Sequence, residues 1–427
     1  VTISALPLHP DRDALAGELH ARPPLPLGTP ARVSRLALLR EDGSGRAAAT
    51  AHLETLCRRY GVTPPAPEAD FVLADFGRFT LRYERHTEFD GWTFLRPAAP
   101  LDPADPFAET AIEAVPTDWL GALPGRTLVA GHIAVARGGG EDEPPPPGCF
   151  VADNLAGSSL SGGVATVWTD FRPGPDGFTR ILLQDHGMGA ALAGRLVQAL
   201  WEVETYRMLA LLALPQARSC APELARASAS LAALTARLPG LDELEAERHA
   251  LEELTDLATT IERLAAQTAD RFSGSRAYHA LVGQRLQVLR ETRLSGMPTL
   301  AEYLERRLDP AIATVEATGA RIATLSTRCG RAVDLLRARV AVAQEAQSGR
   351  LLAAMAETGR AQLRLQETVE GLSVAAISYY LLSLAGYAIK PFDLGRVTGE
   401  VLLALLVPAV TALVWIRMRR RRRADRS

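Results

Sequence analysis

The chain has 427 residues, 47% of them apolar and 22% charged. That is too apolar for disorder and long enough for two or three domains of about 150 residues each. A formal net charge of −2 excludes a globally basic nucleic-acid binder. The basic residues are arginines apart from Lys390, and abundant Ala and Arg with almost no Lys reads as codon bias.

The first thirty residues hold Pro7, Pro10, Asp11, Arg12 and Asp13 and no continuous apolar core, so no cleavable signal peptide is expected. Residues 1–188 read as a cytosolic mixed α and β region. Helices are expected at 11–20, 45–60 and 116–120, with Asp11 as a cap for the first. Strand-like runs fall at 33–39, 79–89, 92–95, 128–136, 149–155, 164–170 and 178–184. The last two flank Arg172-Pro-Gly-Pro-Asp-Gly177, which predicts a hairpin turn. The Gly/Ser-rich stretch 157–163 reads as a loop entering the next strand, and 138–148, with four prolines, as a flexible loop.

From residue 189 to 370 strand signals vanish and a helical bundle is expected. Its helices are predicted at 191–214, 222–238, 241–268, 275–294 and 299–308. Pro310 can open the next and longest one, a stalk over about 311–370. On it Ile312, Val315, Gly319, Ile322, Ser326, Cys329, Val333, Leu336, Val340 and Ala343 step by alternating three and four residues. Such a seam packs either against earlier helices of the same chain or against a second copy.

Residues 372–389 form an uncharged run at the short end of what spans a bilayer, and 401–416 form another with Pro408 inside. With only a short link, the two predict a transmembrane hairpin over 371–416. The basic tail 417–427 begins with Arg417, Arg419, Arg420, Arg421, Arg422 and Arg423. The positive-inside rule places this cluster, and with it both ends of the chain, in the cytoplasm of a bacterial inner membrane. The partner so implied is the lipid bilayer. Ala376, Tyr380, Ser383, Gly386, Tyr387 and Lys390 lie along one side of the first span, either packing against the second span or lining a pore.

Two clusters are candidates for ligand or metal binding. His9, Arg12, Glu18, His20 and Arg22 gather at a helix near the N-terminus, as an anion or metal pocket or as a capped helix with solvated charges. On the strand 79–89, Arg82, Glu84, His86 and Glu88 share one face. A histidine between two glutamates suits a divalent cation or a tuned proton, and a wet outer sheet face explains the same pattern. Cys57, Cys149, Cys220 and Cys329 form no CxxC pair and fit free thiols in a reducing cytosol. No phosphate loop, GxSxG, HExxH or GxGxxG is present, so no catalytic residue, cofactor, substrate or transported ion is assigned.

Several stretches resemble the bacterial DUF3422 family: 18–23 (ELHARP), 84–89 (ERHTEF), 167–172 (VWTDFR), 204–215 (ETYRMLALLALP) and above all 365–380 (LQETVEGLSVAAISYY). The resemblance spans nearly the whole chain. It implies a membrane-anchored protein and brings no established activity. The order of α/β region, bundle, long helix, hairpin and basic tail also resembles CorA-type magnesium channels. Those carry Gly-Met-Asn where this chain has Tyr387-Ala-Ile-Lys-Pro391. The expected function is a large cytoplasmic sensing or binding region tethered by the hairpin, with an oligomeric CorA-like channel as the alternative.

Overall fold

Successive side chains of a strand point to opposite faces, and in this chain both faces are apolar. The computed structural model describes residues 8–12, 15, 23–40, 46–67, 69–97, 100–138, 140, 143–241, 243–389 and 396–424. The chain divides into two units, residues 1–236 with 253–331 and residues 237–252 with 332–427.

The first unit is built on nine strands: β1 (Ala31–Leu39), β2 (Phe71–Asp75), β3 (Thr80–Arg85), β4 (Phe89–Pro97), β5 (Arg126–Arg137), β6 (Ala156–Leu160), β7 (Ala165–Pro173), β8 (Thr179–Asp185) and β9 (Glu291–Arg293). They form one sheet in the order β2-β3-β4-β1-β5-β8-β7-β6-β9. The β5–β8 pair is parallel and the other pairs are antiparallel. The helices are α1 (Arg46–Tyr60), α2 (Thr117–Leu120), α3 (Ala190–Leu211), α4 (Ala213–Arg237), α5 (Leu244–Leu289), α6 (Leu300–Arg307), α7 (Asp309–Ile389) and α8 (Arg396–Ala424).

On one face Ala31, Val33 and Ala37 of β1 join a core with Leu196, Trp201 and Leu209 of α3, Leu289 of α5, Leu300 of α6 and Ile312 of α7. This core continues across residue 188 without a break. On the other face Leu36 and Leu38 pack with Leu53 and Leu56 of α1 and Trp119 of α2. Further along that face Trp168 and Leu182 meet Phe107 and Cys149. All four cysteines are buried and unpaired with one another.

Some elements differ from the sequence expectation. The run 149–155 is irregular, with a 3-10 turn at Ala152–Asn154, and the strand lies at Ala156–Leu160, overlapping the stretch 157–163 read as a loop. Small residues are required there, because a Cβ at Gly157 would sit 2.5 Å from the Trp168 ring. Ser158 gains a partner by donating to Glu291 Oε2 at 2.7 Å. Strand β9 lies in the region expected to be purely helical. Pro222 lies inside α4 rather than opening a helix, since buried Cys220, Leu224 and Ala227 hold the turn around it. Residues 244–289 form one helix instead of two. Ser275 Oγ donates to Ala210 O at 2.7 Å there, and packing overrides the weak helix propensity of Ser273-Gly274. Helix α6 starts at a capping box between Thr299 and Glu302.

The long seam is occupied within the chain as far as Val340. In the first unit Ile312, Val315, Ile322 and Cys329 are buried, and Phe272 lies against Gly319. In the second unit Val333, Leu336 and Val340 are buried. There Arg339 donates to the carbonyls of Leu238 and Leu241, each at 2.8 Å, and pairs with Glu247. From 341 to 377 no residue of α7 is buried.

Two glycines test this packing in opposite directions. A Cβ at Gly194 would lie 1.9 Å from the Leu25 carbonyl oxygen, whereas Gly283, exposed on α5, has open space around it. Gly194→Ala is expected to lower the thermal unfolding midpoint. Gly283→Ala is expected to raise stability by about 0.5–1 kcal/mol, the usual helix gain of Ala over Gly. Calorimetry of the two full-length variants checks both signs.

Candidate functional site

Of the N-terminal cluster, His9 and Arg12 are exposed, and the His9 Nδ1 accepts from the Asp11 amide at 3.2 Å. Glu18, His20 and Arg22 lie outside the described residues.

The strand cluster is arranged differently from the expected wet face. Strand β3 ends at Arg85, so His86 and Glu88 fall in the turn to β4. His86 stacks on the Phe89 ring at 4.2 Å. Glu88 pairs with Arg271 of α5 at 2.7 Å. Arg82 and Glu84 do share a face, yet that face is buried beneath the helices. Arg35 Nη1 donates to Glu84 Oε2 at 2.9 Å and to Thr93 Oγ1 at 3.0 Å, and Arg82 Nη2 donates to Glu84 Oε1 at 2.7 Å. Both carboxylate oxygens thus face guanidinium groups. Among the described residues no three His, Cys, Asp or Glu side chains gather as a metal site.

Burial alone would raise the Glu84 pKa, but the charges of Arg35 and Arg82 and the Arg82 hydrogen bond outweigh it and bring it down to about 2. The opposite face carries a second polar group. Tyr83 Oη donates to Asp90 Oδ1 at 3.1 Å, and Arg40 Nη1 donates to the same oxygen at 2.9 Å. Burial pushes the Tyr83 phenol up to about 12. His132 is buried, stacked on Phe178, with its Nδ1 2.8 Å from Ser34 Oγ. Desolvation lowers its pKa to about 4, against a raising effect of Asp176.

The Glu84 cluster borders a cavity of about 30 Å³ under α3, lined by Arg35, Arg82, Gln198 and Trp201 with apolar neighbours. A much larger open groove of about 1050 Å³ lies on the opposite face of the sheet, beside β5 and β8. Pro30, Pro103, Pro106 and Pro144 to Pro147 wall it, and Arg137 and Gln184 are among its polar residues. Gln184 Oε1 accepts from Trp168 Nε1 at 2.8 Å, which fixes its amide. The sequence signal for this groove is the proline run, whose rigid backbone keeps a wall open. Stretches 167–172 and 204–215 also meet. Arg207 pairs with Glu204 and donates to the Phe171 carbonyl at 3.2 Å, and Tyr303 Oη donates to Asp170 O at 3.1 Å. Phe171 has φ 54°, a left-handed conformation rare for an aromatic residue. These bonds hold that strained corner in place.

In the second unit, one helix is long and apolar enough to cross a membrane, the window lying in α7, and 404–417 is a shorter apolar helical stretch. Two spans of full length are therefore not found among the described residues. Tyr380 and Tyr387 are exposed at 68% and 71%, Ala376 is exposed, and Ser383 and Gly386 are half-buried. Nothing lies within 4 Å of a Cβ built on Gly386. The packed side of α7 is instead that of Ser378, flanked by half-buried Val374, Leu382 and Ala385. Thr411 Oγ1 donates to Val407 O within α8. Lys390 lies outside the described residues. Arg417 is exposed on α8, the helix that also carries Arg419 to Arg423.

Acid should lower the stability of the chain over two pH windows. His132 binds its proton more readily unfolded, so its contribution is complete above pH 6.5 and falls as pH drops toward 4, by roughly 3 kcal/mol. Glu84 contributes fully above about pH 4.5 and loses its share as pH falls toward 2. Glu84→Gln should cost about 3–5 kcal/mol near neutral pH, because two buried guanidiniums lose their counter-charge. His132→Asn should flatten the upper step alone. Denaturant titrations between pH 7 and 3 check the upper step and the cost of Glu84→Gln.

Neither the curated proteins nor the solved structures contain a match to this chain. The family described as "Protein of unknown function (DUF3422)" matches residues 7–424. The chain belongs to the DUF3422 family.

Proposed function

We propose that the chain is a membrane-tethered, self-associating protein whose sheet unit is a cytoplasmic binding region. One observation carries this reading: the apolar end of α7 finds almost no cover in its own chain. Leu372 is 75% exposed and Leu384 64%, and only 6% of the apolar window is buried. Each large apolar side chain left in water forgoes about 1.5–3 kcal/mol, so a surface this continuous calls for a bilayer or a partner. Val401, Leu405, Leu413 and Trp415 of α8 are also exposed, and Arg417 follows directly, which supports the hairpin and its cytoplasmic ends.

The part of α7 before the membrane segment supports self-association. Leu351, Met355, Thr358, Gln362, Leu365, Val369 and Leu372 alternate steps of four and three. All seven are exposed. The six charged residues between 349 and 376, Arg350, Glu357, Arg360, Arg364, Glu367 and Glu370, stand off this seam and off the positions that flank it. A seam uncharged at its core and margins fits a copy of itself. Parallel packing follows if each copy enters the same membrane from the same side. This oligomerisation surface lies beyond the seam 312–340, which the chain covers itself.

Membranes washed with alkaline carbonate should retain the full chain. The protein extracted in detergent should have a mass of several protomers, and Leu351→Asp combined with Leu365→Asp should reduce it to one. Release by carbonate contradicts the tether, and a wild-type monomer contradicts self-association.

A further inference from the structure

The charges buried under α3 do not balance. Arg35 and Arg82, both 5% exposed, share the single carboxylate of Glu84. From the helices laid over them, Arg285 of α5 meets Glu202 of α3 as a pair. Tyr206 of α3 senses Arg35, Glu84, Arg285 and Glu202 together, and its phenol, raised by burial, stays neutral. Thr93 of β4 adds a neutral hydroxyl. Three guanidiniums therefore stand against two carboxylates, leaving one positive charge without compensation, an arrangement that is costly away from water.

Hydrogen bonding is incomplete at the same place. The Nε groups of Arg35 and Arg82 and the indole Nε1 of Trp201 are buried donors with no partner. All three residues line the cavity of about 30 Å³. That volume holds about two water-sized occupants. Its remaining walls include Val33, Leu95 and Val197, which offer nothing to a strongly hydrated ion.

We propose that this cavity binds one small monovalent inorganic anion, of the chloride, bromide or nitrate class, between Arg35, Arg82 and Trp201. Its single charge cancels the excess, and its surface accepts from donors that otherwise have none. Gln198 Nε2 is engaged with Glu202 at 2.9 Å, while its Oε1 is buried and lacks a partner. That acceptor suits one water, which donates to Gln198 and to the anion, so the pair fills the cavity. Sulfate and phosphate are disfavoured by size and by a second charge that would overshoot the balance.

The test uses the full chain in detergent, exchanged into potassium gluconate buffer. Added potassium chloride, bromide or nitrate should raise the unfolding midpoint saturably by several degrees at constant ionic strength, whereas potassium sulfate should not. Arg82→Gln should abolish the saturable rise. Should that variant fail to fold, wild-type crystals grown in bromide provide the second measurement, with an anomalous peak expected between Arg35 and Arg82. A midpoint indifferent to the anion, or bromide crystals with no anomalous peak there, would overturn the proposal and leave a cavity filled by water alone.

Discussion

Apolar surface has to be covered, and this chain covers one part of itself and leaves another bare. The nine-stranded sheet has a core on each face, with α3, α5 and α6 on one side and α1 and α2 on the other. The end of α7 buries Ser378, and α8 buries Val414, as the only buried residues of their apolar stretches among those described. Both units obey the same rule, and the difference lies in what supplies the cover. In the sheet unit it is the chain. For the apolar ends of the helical unit, the reading proposed above takes it from a bilayer and a second copy.

Within the covered part, the buried polar groups stabilise only as a set. Glu84 depends on Arg35 and Arg82 to stay ionised, and an apolar trio of similar volume often packs as well as such a cluster. Their place beside a cavity, with donors that have no partner, fits a specific occupant better than a structural filler. The corner at Phe171 differs in kind. There Arg207, Glu204 and Tyr303 hold a strained backbone, and each has a protein partner. That corner needs nothing further, while the cavity beside Trp201 does.

The sequence disclosed period and composition well and disclosed tertiary pairing poorly. The hairpin at 172–177 was legible because Asp176 and Gly177 make the turn locally: the Phe178 amide donates to Asp176 Oδ1, and Gly177 takes φ 81°. Strand β6 was hidden, since its small residues are chosen by the Trp168 ring and by Glu291, far away in the chain. The single helix α5 was hidden for the same reason, Ser275 beside its Ser-Gly step being held by Ala210. In the candidate site, alternation placed Arg82 and Glu84 together, but alternation cannot tell water from a covering helix. Arg35 went unnoticed because it arrives from another strand, and the proline-walled groove because its lining is assembled from five separate stretches.

On the reading proposed above, the exposed apolar end of α7 lies in a lipid bilayer. Spin labels placed singly along residues 372–387 and at Arg364, an exposed position off the self-association seam, in the full chain in liposomes measure this directly through collision with oxygen and with a polar nickel complex. Lipid burial predicts high oxygen contact and low nickel contact through the middle of the stretch, strongest on the Tyr380 and Leu384 side, and the reverse at 364. Nickel contact as high at 380 and 384 as at 364 would contradict it.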